Sequence, residues 1–187
     1  LISDDIINSV PLGVLGFHPS LLPYNRGRHP LIWAIVLGLS KTGSTFFVMD
    51  QGFDTGKIID QKIVQILPHE YVWDLYKKVA EVASFQLKTL LENPNLIKII
   101  KGKESETPAN IESNFWRKRT EQDGRIDFRM SSKHIFDLIR ALSYPYPGAH
   151  FEFDSKAVKT FKAEYSNEMS LENIEPGKII EVEKDIS

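Results

Sequence analysis

Two short apolar runs constrain this chain more than any other feature. Val14 to Phe17 leads into His18, and Thr45 to Met49 leads into Asp50. Between them stand a proline-punctuated loop and the segment 29–39, apolar on most sides, with Pro30 placed for a first helical turn. Apolar runs of this length bounded by turn residues read as buried strands. Strand, helix and strand in succession read as α/β. A histidine at one strand end and a carboxylate at the next is expected where such a sheet presents its carboxyl edge to a ligand. Residues 14–61 are therefore the predicted active site, on a parallel sheet.

The remaining chain fills in around that stretch. Residues 4–10 read as a short helix stopped by Pro11, with Ser3 or Asp4 as its cap. Residues 57–66 read as a partly exposed strand. Residues 69–92 carry Val72, Leu75, Val79, Val82, Gln86 and Leu90 at helical spacing, ended by Asn93-Pro94. The polar run that follows has a linker's composition, which puts a domain boundary at 103–114 between units 1–102 and 115–187. Beyond it come a turn at Asp123-Gly124 with a short strand, then a helix capped by Ser131 or Ser132. The Tyr-Pro-Tyr-Pro-Gly turn and strand segments at 149–153, 156–166 and 175–183 complete the chain. A helix followed by short antiparallel strands suggests a small, partly complete β-barrel-like module.

Composition excludes several classes of function. A net charge of −2 supplies no chain-wide basic field for nucleic acid. No cysteine is present, so disulfides and thiolate metal sites are out. No apolar run reaches a membrane span and no leader pattern appears, which makes the cytoplasm the expected location.

Few residues could carry chemistry. His18 precedes Pro19, so its backbone is extended; its ring could serve as general acid/base or, protonated, steady an oxyanion. The plainer reading is a structural histidine bonded to a loop carbonyl. Asp54 lies in Gly52-Phe53-Asp54-Thr55-Gly56, where two glycines let the loop turn sharply. It could orient His18, or simply close an Asx-turn. Asp50 reads as a strand-end carboxylate. Asn25, Arg26 and Arg28 bring an amide and two guanidinium groups into the loop after His18. The two arginines either clamp a phosphate or carboxylate, or stand as exposed charge. His29, His69, His134 and His150 show no metal-ligand spacing with one another.

Together HPSLLPYNRGRHPLIWAI and STFFVMDQGFDTGKIIDQ resemble the 10-formyltetrahydrofolate-dependent formyltransferases, and FWRKRTEQDGRIDF and IRALSYPYPGAHF resemble the start of that family's C-terminal domain. The resemblance implies the later half of a Rossmann-like domain, followed by an OB-like one. It implies that His18 and Asp54 belong to the catalytic group. Ser20, Leu21, Leu22, Pro23 and Arg28, with Asp50, Gln51, Gly52 and Phe53, would line the folate site. 10-Formyltetrahydrofolate would be the co-substrate, with no metal. The acceptor would be a primary amine, of a nucleotide-linked amino sugar by the YNRGRHPLIW loop, with methionyl-tRNA as the alternative. A homodimer is compatible with the family.

Two departures stand out. The family pattern has asparagine two residues before the histidine, where this chain has Gly16. Asn25, counted with the catalytic residues, is the expected replacement for its amide, ahead of protonated His18 or a water; without a replacement, a non-catalytic folate- or partner-binding relative is the reading left. The family's α/β domain also continues about 90 residues, half a small domain, ahead of the point matched by Leu1, so a piece of a longer enzyme is expected.

Overall fold

A computed structural model describes residues 3–11, 13–101, 113–164 and 174–180. The expected linker lies almost wholly outside these residues, as does the end of the last expected strand. In chain order the elements are α1 (Asp4–Ser9), β1 (Leu15–His18), β2 (Arg26–Gly27), α2 (Pro30–Val36), β3 (Lys41–Val48) and β4 (Ile58–Gln65). Then come α3 (Val72–Glu92), α4 (Leu96–Lys101), β5 (Phe115–Trp116), a 3-10 turn (Glu121–Gly124), α5 (Ser132–Leu142), β6 (Ala149–Phe153) and β7 (Lys156–Thr160).

The main sheet has the order β1-β3-β4, and both pairings are antiparallel. This corrects the expected parallel sheet. A parallel crossover must carry the chain back along the strand it has just left. At seven residues α2 spans only roughly 10 Å, short of the roughly 13 Å of the four residues of β1. The chain therefore re-enters beside the end of β1 and runs back along it, with His18 opposite Thr45 and Leu15 opposite Val48. A loop joins β3 to β4 as an antiparallel pair, with a register shift between Phe46 and Phe47. The carboxyl ends of β1 and β3 thus lie at opposite ends of the ladder, and the shared-edge argument for pairing His18 with Asp50 does not hold.

Burial explains the order. Thr42 through Phe47 are buried on both faces, as befits the central strand of a covered sheet. The helix α3 lies over the sheet through Val72, Leu75 and Val79, while buried Gln86 donates to the Ser44 carbonyl and to Asp60 Oδ2. The core continues through Leu31 and Ile35 of α2 into Leu138, Ala141 and Leu142 of α5 and Ala149 of β6. Segments on both sides of 102–112 therefore share one core. Ser131 caps α5, accepting from the His134 amide.

The C-terminal part is less barrel-like than expected. Among the described residues it forms one antiparallel hairpin, β6–β7, and Arg125 meets His150 by a single bridge instead of a strand. Residues 174–180 hold a turn but no strand, and the rest of that expected strand is outside the described residues. No helix among the described residues is long and apolar enough to cross a membrane.

Candidate active site

The site begins with how β3 grips the loop after β1. Thr42 Oγ1 donates to the Pro19 carbonyl at 3.1 Å and Thr45 Oγ1 to the Ser20 carbonyl at 2.6 Å. Gln61 Nε2, from β4, donates to the Leu22 carbonyl and to Thr45 Oγ1. A Cβ on Gly43 would stand 2.6 Å from the Ser20 carbonyl oxygen, so only glycine lets the loop lie this close. Buried Ser20 closes the loop by donating to the Tyr24 carbonyl.

That grip fixes the His18 ring, which is 5% exposed. Its Nε2 lies 2.9 Å from the Asn25 carbonyl oxygen. A carbonyl only accepts, so Nε2 carries the proton. Nδ1 faces Asp54 Oδ2 at 3.5 Å. Both nitrogens therefore look at oxygen acceptors. The same Asp54 oxygen accepts from the Gly27 amide at 3.1 Å, and Asp54 holds a left-handed backbone (φ 54). The loop 49–57 turns back along β1 to bring Asp54 there.

The other expected residues fall into distinct places. Asp50 accepts from the Gly52 amide and from Thr55 Oγ1 at 2.6 Å, which builds the turn that presents Asp54. Gln51, Gly52 and Phe53 are exposed, and Phe53 meets Phe115 edge-on at 5.9 Å. Leu21 and Pro23 are half-buried, whereas the Leu22 side chain is in the core. Arg28 is exposed and is held by its amide, which donates to the Trp116 carbonyl. Asn25 reaches His18 through its carbonyl; its side-chain oxygen accepts from Asn114 Nδ2, while Asn114 Oδ1 accepts from the Asn25 amide.

Asn114 and β5 escaped sequence reasoning. Strand β5 pairs in parallel with β2, so residues 114–116 brace the loop that holds His18's partner. Trp33 adds to the brace by donating to the Arg117 carbonyl. The contacts span 84–89 residues, and no local pattern marks them. Gly16 also has a structural counterpart. A Cβ there would lie 2.7 Å from the Phe47 ring and 2.9 Å from Met49 Cγ, so these side chains take the room an asparagine would need.

Comparison with known proteins gives this geometry a context. The signature of the Formyl transferase family matches residues 1–91, and that of the Formyl transferase C-terminal domain matches residues 118–187. Methionyl-tRNA formyltransferase of Francisella tularensis subsp. novicida (strain U112) is 34% identical over 186 residues, covering 98% of this chain. The chain spans 56% of that relative's length. Among solved structures, a 4-N formyltransferase from Francisella tularensis has a TM-score of 0.72 at 27% identity, covering 89% of this chain and 68% of its own. An N-formyltransferase from Helicobacter canadensis, in complex with folinic acid and dTDP-3-aminofucose, has a TM-score of 0.67 at 26% identity, covering 84% and 56%. The two matched signatures, over residues 1–91 and 118–187, make the chain a member of the formyl transferase family.

Proposed function

We propose that this chain carries the transfer site of an enzyme moving a formyl group from 10-formyltetrahydrofolate to the primary amine of a nucleotide-linked amino sugar. The carrying observation is the His18 ring, buried between the Asn25 carbonyl and Asp54, in a segment matching the Formyl transferase family. Bound folate would supply an activated formyl carbon on N10. The surroundings suit such a group: exposed Phe53, in the loop that presents Asp54, offers a flat apolar face. Asp54 Oδ1 has no hydrogen-bond partner among the described residues, so this oxygen is available to take a proton from an attacking amine and pass it to N10 as the formyl–N10 bond breaks and tetrahydrofolate leaves. A protonated His18, its two N–H groups facing the Asn25 carbonyl and Asp54, sets a positive charge beside a developing oxyanion. The Asn25 carbonyl and Asp54 orient the ring for that task. Asn114 holds the Asn25 side-chain oxygen, which leaves Asn25 Nδ2 as the donor this side chain could contribute.

Methionyl-tRNA as acceptor is the second reading, favoured by the alignment over 98% of the chain with a methionyl-tRNA formyltransferase. Purified protein, 10-formyltetrahydrofolate and either a dTDP-linked amino sugar or methionyl-tRNA separate the two. Tetrahydrofolate release with the sugar alone supports the proposal. Release with methionyl-tRNA alone, weakened steeply by salt, replaces it with the second reading.

A further inference from the structure

A second cleft, of about 430 Å3, opens where α2, the 119–124 segment, the Tyr-Pro-Tyr-Pro-Gly turn and the β6–β7 hairpin converge. Neither His18 nor Asp54 lines it. Its volume falls within the range of small-molecule sites.

Charge pairing sets this cleft apart from its surroundings. The arginines nearby in sequence each have a carboxylate: Arg117 has Asp123, Arg125 has Glu152 and Arg129 has Asp127. Arg119, on the cleft wall, makes no direct ion pair among the described residues, although the charge of nearby Asp123 acts on it. It is 9% exposed, donates to the Asp123 carbonyl and lies 4.7 Å from the Trp33 ring centroid. Lys159, also on the wall, makes no ion pair among the described residues. A desolvated guanidinium without an anion is costly, and an entering anion offsets that cost. His150 and Lys159 are register partners, so both project from one face of the hairpin toward the cleft. His29 lies in the same field: burial first, then Arg119, Lys118 and Arg28, lower its pKa. Buried Ile32 and Leu142 give the cleft an apolar floor, and half-buried Tyr146 adds a ring and a hydroxyl. The carboxylate in the lining is Glu121, which is exposed.

We propose that this cleft binds a small phosphorylated molecule bearing a flat ring, at a site separate from the His18 centre. Arg119 and Lys159 meet the phosphate, while Ile32, Leu142 and Tyr146 take the ring. Two cations in a concave site suit one phosphate group, whereas a nucleic-acid strand demands a row of phosphate contacts.

Adenosine 5′-monophosphate titrated into the isotope-labelled protein tests this by amide NMR. The expected result is saturable shifts at Thr120, Gly124 and Gly148, with Gly52 and Asp54 unmoved. Lys159→Ala should weaken binding at least about tenfold, the loss of one charge-assisted contact. Lys156→Ala, three residues away on the other face of β7, should leave it unchanged. Arg119→Lys should also weaken binding; if that variant fails to fold, the exposed Lys159 decides alone. No saturable shift up to about 1 mM, shifts confined to the His18 and Asp54 loops, or equal weakening by Lys156→Ala would overturn the site. Displacement of the nucleotide by uncharged tRNA would overturn its small-molecule class.

Discussion

Asp54 and Asp137 both face a nitrogen base, but the protein saturates one and leaves the other short. Asp137, on α5, has a side chain 2% exposed; Arg140 Nε meets one oxygen at 2.8 Å and Lys133 Nζ the other at 2.5 Å. Arg140 in turn donates to the Glu70 carbonyl, locking α5 to the segment before α3. Asp54 is 23% exposed, holds one backbone donor at 3.1 Å and stands 3.5 Å from His18, beyond the length of a formed hydrogen bond. A carboxylate with a cation on each oxygen holds structure, because any change in it strands a partner. One left short of donors can still take up a proton or turn toward a ligand.

Removing the saturated group should have the largest effect. Asp137→Ala leaves the Arg140 charge buried and uncompensated, and should cost about 3–5 kcal/mol of stability, read by urea denaturation. A loss below about 1 kcal/mol would show that α5 does not depend on the pair.

The unsaturated site should respond in turnover instead. His18→Ala and Asp54→Ala should each slow formyl transfer about a hundredfold, roughly 2.7 kcal/mol of barrier, with denaturation midpoints near the parent's. The double variant should be little slower than the slower single one, because the two act as a unit. Unchanged turnover in His18→Ala would remove catalysis from this site.

Gly16 tests the packing beside that site. Gly16→Asn should not gain a useful amide; it should cost about 1–3 kcal/mol of stability, since Phe47 and Met49 must give way. A smaller gap belongs to the brace. Asn114→Ala should cost about 0.5–1.5 kcal/mol for a lost hydrogen bond, and should lower turnover more than stability because Asn25 then loses its hold beside His18. Asn114→Asp should recover part of the turnover, through the oxygen that accepts the Asn25 amide.

Acid gives the finest test. Arg117 first, and then the Thr120 amide and hydroxyl, hold Asp123 well below the usual carboxylate range; Arg129 holds Asp127 down to about 2. Both bind fewer protons folded than unfolded, so their stabilisation is complete above about pH 5 and drains away as pH falls toward the folded values. The thermal midpoint of Asp123→Asn should consequently fall less between pH 5 and pH 3 than that of the parent.

Sequence made some of this visible. Helix α3 and the Ser131 cap follow from spacing and cap chemistry over a few residues. That His18 and Asp54 share one place is readable because a glycine-flanked loop follows the strand that pairs with β1. Strand direction was not readable, since apolar runs look alike in either sense and the length of α2 decided the matter. The Asn25–Asn114 pair and the burial of Asp137 with Arg140 were hidden too. Each joins polar residues whose partners are set by tertiary packing, and polar residues carry no periodic mark of burial.

The parallel pairing of Arg26–Gly27 with Phe115–Trp116 has a thermodynamic consequence. The loop that orients His18 and the segment leading into the C-terminal half share their backbone hydrogen bonds, so neither can open without releasing the other. By linkage, whatever ligand favours the ordered loop also favours the docked segment, and to the same extent. Occupancy at His18 would then hold the distant segment 114–116 in place, seen as slower exchange of the Arg28 amide, whose hydrogen is held by the Trp116 carbonyl.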